Sequence, residues 1–454
     1  MTKTLIIVEA PSKAKHIAAF LGPAYVVQAS VGHITEMPIP KSMTADEKKK
    51  YSEYAQDISN NFEPLYKVSA DKKKIVADLK RILKTVDELV LGTDADNEGA
   101  AIAWHLLQQL KPTIPVYRAT WNEITEKAVR KGLQEKKLVD FAKQEPKDFF
   151  GQAESALTRA QWDRLYGYSS SPYVWKTIKP GTSSGRVQTP GTRLIVEREE
   201  RRLAFTSVAY YTILGNFEGI KSRLVEFNGV KIADGSKIDD DGNLAKGYVL
   251  ITDENLDETM SALQSKSYKI GEVNSKPYRR SPPAPFTTSS GLQSIGGKTR
   301  QSAKQITRYL QDLYASDGAI TYIRTVSVVA APDAIIEARK DIKKMFGINL
   351  LPPTARVYAD KKASANSGHE CIRPVLDDKT GQLVNKKFSD VKKQQVFDLV
   401  RLRFLASQAI DCEGLTWTAS FEADDGKAKF NASETEISEP GWTTIYQVDE
   451  EVGA

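Results

Sequence analysis

The run Leu89-Val90-Leu91-Gly92-Thr93-Asp94-Ala95-Asp96-Asn97-Glu98-Gly99 places three carboxylates directly behind a short apolar stretch. A second apolar stretch, Leu5-Ile6-Ile7-Val8, ends on a fourth, Glu9. Short runs of Val, Ile and Leu, each followed by a helix-compatible segment, read as buried strands of a parallel sheet. In open α/β sheets, ligands and chemistry gather beyond the carboxyl ends of the strands. The sequence therefore predicts four acids at one edge of one sheet. Carboxylates that close either raise their pKa values and keep protons, or bind a hard cation. Mg2+ suits such a group, because it keeps several waters and needs few carboxylates. A solvated acidic turn is the plain alternative, and Glu9 at a second strand end weighs against it.

Composition narrows the class. The 454 residues suggest about three domains as a length prior. Hydrophobic content of 41% and charged content of 27% are an ordinary balance for a protein with a large core. No apolar run approaches the roughly 20 residues of a membrane span, and the chain opens directly into a strand with no signal pattern. The two cysteines, Cys371 and Cys412, form no Cys-x-x-Cys pair. That excludes a zinc ribbon within this chain and points to a reducing compartment. A net charge of +6 fits a polyanionic partner and fits ordinary surface lysines nearly as well.

Residues 1–140 alternate strands, at 4–8, 88–92 and 116–121, with helices at 72–84, 100–110 and 123–134. Residues 146–202 read as helical and rich in arginine, with breaks at 169–171 and 179–185. From 207 to about 273 the pattern turns to β. Helices resume over 289–315, followed by a short strand at 319–323 and helices at 332–346 and 389–409. The segments 415–421 and 443–446 read as β again. Strands on both sides of a helical block fit a domain inserted between strands of another.

Three further constellations carry chemistry. Tyr322 and Arg324, two apart in an extended segment, share a face. Tyrosine is a poor nucleophile, with a pKa of about 10; a neighbouring guanidinium favours the phenolate and clamps a phosphate diester. On Tyr-x-Arg alone, a core tyrosine beside a surface arginine is the better reading. Ser184-Gly185-Arg186-Val187-Gln188-Thr189-Pro190 opens a helix. Its amides and Arg186 suit phosphate, or serve as a plain capping turn. Gly368-His369-Glu370-Cys371-Ile372-Arg373-Pro374 combines an imidazole, a carboxylate and a guanidinium, and His33 sits in the loop-like Gly32-His33-Ile34.

Taken together, these segments resemble the type IA DNA topoisomerases. The resemblance runs from Ile7-Val8-Glu9-Ala10-Pro11-Ser12-Lys13 and Gly32-His33-Ile34 through Asp94-Ala95-Asp96-Asn97-Glu98-Gly99, which is similar to the Toprim metal motif. It continues through residues 184–190, Pro285-Phe286-Thr287-Thr288-Ser289, Ile320-Thr321-Tyr322-Ile323-Arg324-Thr325 and residues 369–374, in the family's order and over nearly the whole chain. It looks closer to bacterial topoisomerase I than to topoisomerase III.

The resemblance implies an α/β and α+β multidomain protein: a Toprim α/β domain, helical domains and a β-rich arch, forming an incomplete type IA toroid. Its parts would be a Toprim domain (1–140), a helical DNA-gripping base segment (141–205), a β-rich hinge (206–275, returning at 401–446), an inserted helical domain carrying the tyrosine (276–400) and a tail (447–454). Tyr322 would attack a DNA strand, single-stranded or underwound, and form a 5′-phosphotyrosyl link. Because one phosphodiester is exchanged for another, no ATP is needed. Arg324 would stabilise the scissile phosphate, Glu9 protonate the leaving 3′-oxygen, and Lys13 and His369 assist. Asp94, Asp96 and Glu98, with Glu9, would bind Mg2+. His33, Arg159, Arg186, Gln188 and Arg373 would contact DNA. Location would be cytoplasmic or nucleoid-associated, or in a virus-infected cell, with no membrane partner.

Departures qualify the resemblance. The family usually has Arg at Asn97, Glu at Ala100 and Asp at Val326, and it continues into further helices beyond Trp442. A second polypeptide, or a longer natural chain, that completes the toroid is therefore expected. Two other readings stand beside the main one. Another Toprim enzyme, a primase or nuclease, would have no use for Tyr322. A split, weakened or non-catalytic single-stranded-DNA-binding relative would explain the departures.

Overall fold

Thr4–Val8 is the buried axis of the first half of the molecule, with all five residues inaccessible to solvent. It pairs in parallel with Tyr25–Ala29 on one side and Glu88–Leu91 on the other. Val116–Arg118 extends the sheet in parallel and Lys137–Leu138 closes it antiparallel. Helices on both faces explain why the two central strands read as unbroken apolar runs. The helix Asn97–Leu110 supplies Ile102, Leu106 and Leu110 to this core, with Phe149 and Phe150 from Lys147–Thr177. Glu9 and Asp94 follow the carboxyl ends of adjacent strands, as the sequence predicts.

The computed structural model describes residues 2–239, 241–360 and 369–447. Two units emerge: Met1–Arg186 with Pro283–Gln408, and Val187–Pro282 with Ala409–Ala454. The first adds to the sheet a helical lobe of Thr288–Thr299, Ala303–Ala315, Pro332–Phe346 and Val391–Ala406. In the second, Tyr268–Arg280 pairs antiparallel with Cys412–Ala423, and that strand with Ala428–Glu439. The chain thus leaves this sheet after residue 282 and returns at 409. Phe217 and Phe421 stack at 4.4 Å in its core. Among the described residues, no helix is long and apolar enough to cross a membrane.

Several expected boundaries move. Lys147–Thr177 runs unbroken through Ser169-Ser170-Ser171, because the Ser170 hydroxyl donates to the Tyr166 carbonyl one turn back instead of leaving the helix. The expected strand at 319–323 joins no ladder; its Thr321 and Tyr322 amides donate to the Arg373 and Asn122 carbonyls. The expected strand at 443–446 is a short 3-10 turn, Gly441–Thr444, anchored by Trp442, whose indole donates to the Arg280 carbonyl. Strand Tyr25–Ala29 is not in the sequence reading; all five residues are half-buried, which blurs any alternation. Gly368 and residues 448–454 of the expected tail lie outside the described residues.

One glycine fixes the acidic turn to the helix behind it. A Cβ on Gly99 would stand 2.3 Å from the Asp94 carbonyl oxygen, while the Thr93 hydroxyl donates to the Gly99 carbonyl at 2.6 Å. Backbone against backbone leaves no side chain to yield. We expect Gly99→Ala to lower unfolding free energy by about 1–3 kcal/mol, the range of core overpacking, in urea titration.

Candidate active site

The two strand ends are tied by a hydrogen bond: the Asp94 amide donates to Glu9 Oε1 at 3.0 Å. Burial first, and Asp94 second, push Glu9 from 4.5 up to about 7. Lys13, just inside the Pro11–Leu21 helix, is 2% exposed. Its ammonium lies 2.5 Å from Asp94 Oδ1 and 3.8 Å from Glu9 Oε2. The Tyr314 hydroxyl donates to the same Asp94 oxygen at 3.1 Å.

Asp96 caps the Asn97–Leu110 helix, its Oδ1 accepting the Gly99 amide at 2.7 Å. Its other oxygen accepts the Tyr322 hydroxyl at 2.5 Å, with Arg324 Nη1 at 3.4 Å. Arg324 acts in the direction that favours the Tyr322 phenolate, but the other groups outweigh it. Burial, Asp94 and the bond to Asp96 hold the phenol well above its ordinary value, and Arg324 offsets only part of this. Burial alone would raise Asp96 as well, but the Tyr322 hydroxyl, the Gly99 amide and Arg324 together hold it below the usual carboxylate range.

Glu98 stands further out, 3.0 Å from His33 Nε2 and 3.5 Å from Arg159 Nη1. The four acids do gather at one edge, but each meets a cation or donor. Among the described residues, no three acids, histidines or cysteines converge as a ready metal cage. A cavity of about 430 Å³ opens over Asp96, Glu98, Gln152, Arg159, Arg324 and His369. A larger one, of about 970 Å³, shares Glu98 and Arg159 with it and runs past His33, Arg164, Tyr168 and Trp175.

The His369 ring lies 5.8 Å from that of Tyr322. Arg186 pairs with Asp163 at 2.7 Å. Gln188 opens the helix Gln188–Ala204 of the other unit. Arg373 departs from expectation. It is 2% exposed, bonded to Glu370 at 2.7 Å and ion-paired with Glu123 at 3.2 Å. A guanidinium so enclosed has no face left for a phosphate; its Nη1 donates to the Pro374 carbonyl, while the Arg373 backbone amide donates to the Thr321 hydroxyl.

Two residues at the site are absent from the sequence reading. Arg118 is buried and donates to the carbonyls of Leu91, Thr93, Asp94 and Ala119 at 2.6–3.0 Å, which fixes the turn that bears the acids. Tyr314 packs edge-on against Tyr322 at 5.2 Å. The only signals were an arginine at a strand end and a tyrosine on the apolar stripe of Ala303–Ala315.

A family model described as DNA topoisomerase matches residues 147–453, and one for the Toprim domain matches residues 4–124. The chain belongs to the type IA DNA topoisomerase family. DNA topoisomerase 1 of Streptomyces coelicolor is 39% identical over 473 residues, covering 98% of this chain and 47% of that protein. DNA topoisomerase 1 of Mycolicibacterium smegmatis is 37% identical, covering 99% and 49%. The chain thus spans about half the length of the curated relatives it matches. Full-length topoisomerase I of Thermotoga maritima superposes with a TM-score of 0.75 at 27% identity, covering 99% of this chain and 68% of that one. A primase or nuclease sharing only the Toprim domain is set aside, because the topoisomerase match extends across the rest of the chain.

Within this type IA core, His105 lines the larger cavity and packs edge-on against Tyr66 at 4.6 Å. Burial, then His33, lowers its pKa from 6.5 to about 3. The unfolded chain takes up a proton below pH 6.5 that the folded chain refuses, so stability falls as pH drops from 6.5 toward 3. Between neutrality and about pH 4.5, His105→Phe should lose roughly 2 kcal/mol less than the wild type in urea titrations at both pH values.

Proposed function

We propose that this chain cleaves one strand of single-stranded or underwound DNA through Tyr322, passes a strand and reseals the break, relaxing negative supercoils without ATP. The observation that carries this reading is the bond from the Tyr322 hydroxyl to Asp96 at 2.5 Å, with Arg324 on the same carboxylate oxygen. A nucleophile, a phosphate-binding guanidinium and strand-end acids are thereby assembled. In cleavage, the Tyr322 oxygen bonds to phosphorus, the phosphorus–O3′ bond breaks, the phenol proton leaves and the 3′-oxygen gains one. Glu9, at about 7, keeps a proton available at neutral pH and suits that last step. Arg324 faces the cavity and is half-exposed, free to swing onto a phosphate. Lys13 neutralises the acids from behind, and His369 flanks the phenol.

The donor set fits Mg2+ held by one or two carboxylates with its remaining waters, since Asp96 and Glu98 line one cavity and Asp94 lies behind them. Bound there, it would supply positive charge beside the cut ends. We assign Asp94, Asp96 and Glu98 to that role, with Glu9 beside them. His33, Arg159 and Arg186 lie along or next to the larger cavity and would track the strand; Gln188 is assigned to DNA contact as well. The helix Lys147–Thr177 would grip DNA, the sheet of the second unit would act as hinge, and the segment from Pro283 to Gln408 would carry the tyrosine. These roles place the protein with DNA in the cytoplasm or nucleoid.

Tyr322→Phe keeps the ring and removes the attacking oxygen. It should bind an oligonucleotide yet leave no protein–DNA adduct after denaturation; wild-type adduct yield would refute the assignment. Replacing Asp94 and Asp96 together with Asn should abolish plasmid relaxation, as chelator should for the wild type, while weak strand cleavage persists. Full relaxation by that double variant without added metal would contradict the assignment.

Helix Gln188–Ala204 exposes Leu194, Ile195 and Leu203, each about 70% accessible. Apolar groups so exposed favour cover from a further segment or second polypeptide. We therefore expect the 454-residue chain to cleave oligonucleotides better than it relaxes plasmid. Rapid multi-turnover relaxation by the purified chain would show that no such cover is needed.

A further inference from the structure

Residues 122–127 form a strip along the Toprim edge on which the tyrosine-bearing lobe rests. The Asn122 carbonyl accepts the Tyr322 amide at 2.9 Å, and Glu123 pairs with Arg373. At the far end of the strip begins the helix Glu126–Gln134, whose cap, Thr125, accepts the Ala128 amide with its side chain and the Val129 amide with its carbonyl. The Glu126 and Lys127 amides instead donate to the two oxygens of Asp378, at 2.6 and 3.2 Å, some 250 residues away in sequence. Lys127 Nζ adds an ion pair to Asp333 at 3.0 Å, exposed on both sides and therefore worth little.

Asp378 is built for this contact. It sits in a tight turn whose internal needs are met by its neighbour: Asp377 accepts the Lys379 and Thr380 amides and the Thr380 hydroxyl. The turn leads directly into the tyrosine segment, since the Val375 amide donates to the Ala319 carbonyl and Ile320 bridges Pro374. Asp378 is thus connected to Tyr322 through a few residues of hydrogen-bonded backbone. The seam packs closely around Gly318, His16 and Ile124, but at the Asp378 end it leaves a cavity of about 390 Å³ lined in part by Glu123, Lys127, Glu370, Arg373, Asp377 and Asp378.

We infer that Asp378 is a latch: its carboxylate on the two helix amides holds the tyrosine-bearing lobe docked on the Toprim edge and so keeps Tyr322 against Asp96. The inference rests on the reading that Tyr322 must leave these acids for a strand to pass. Its test needs no DNA, so its failure is distinct from failure of the adduct assay.

The test is residue-resolved hydrogen exchange on the full chain, comparing wild type with Asp378→Ala. Exchange at Glu126 and Lys127 must rise, because their acceptor is gone. If Asp378 latches the lobe, the Tyr322 amide should also exchange about tenfold faster, as the loss of charge-assisted hydrogen bonds implies. Amides of strand Thr4–Val8 should not change. Asp378→Asn, which retains an accepting oxygen, should restore most of the Tyr322 protection, and Lys127→Ala should alter it by less than about twofold. An unchanged Tyr322 amide in Asp378→Ala would reduce Asp378 to a local helix cap and overturn the proposal. So would a rise shared equally by Thr4–Val8.

Discussion

Three carboxylates with little access to water meet where two parallel strands end, and the rest of the first unit answers the cost of placing them there. A buried charge is tolerated only when it is paired and hydrogen-bonded, or when it gives up its ionisation. All three solutions occur within a few ångströms. Asp94 takes Lys13 and Tyr314. Asp96 takes the Gly99 amide, Tyr322 and Arg324. Glu9, with a more distant ammonium and a carboxylate neighbour, moves toward neutrality. The same cluster that raises the Glu9 pKa also raises that of Tyr322, because burial and neighbouring acids hold a proton on both groups. The resting arrangement is therefore a protonated one. Positive charge arriving at this edge, as from a bound metal ion, would act against it and favour the phenolate.

The sequence shows this cluster more clearly than it shows the means of its support. Strands Thr4–Val8 and Glu88–Leu91 are legible because both their faces are buried, leaving no polar residue to interrupt the run. Glu9, Asp94 and Asp96 are legible by residue type and spacing, Tyr322 and Arg324 only through the family resemblance, and the structure brings the five together. Arg118 and Tyr314 are not, since each works through a partner remote in sequence, and neither type marks such a role. Arg373 reads as a surface cation because arginine is rarely enclosed; its burial depends on Glu370 nearby and Glu123 some 250 residues earlier. The strand expected at 319–323 fails for a related reason. Its residues are apolar and buried, which is the signal for a strand, but its amides are spent on single carbonyls of two other segments.

The departures from the family pattern fall at places of unequal consequence. Ala100 is fully buried in the Toprim core, so the absence of the usual acid is a matter of packing and removes nothing from the cavity. Val326 is 67% exposed; an acid there would be solvated and weakly coupled to Arg324, whose own guanidinium already reaches Asp96. Asn97 differs, because it lines the same cavity as Asp96 and Glu98 and its amide donates to Ser155 at 3.2 Å. A cation at that position would compete with a metal for the same carboxylates. With Asn97 neutral, the positive charge nearest Glu98 comes from Arg159 on another element, which is partly exposed. The acids of this chain are thereby left with less fixed compensation on the cavity side than on the buried side, where Lys13 and Arg118 stand. That asymmetry directs the unanswered negative charge toward the cavity, where a hydrated cation can reach it.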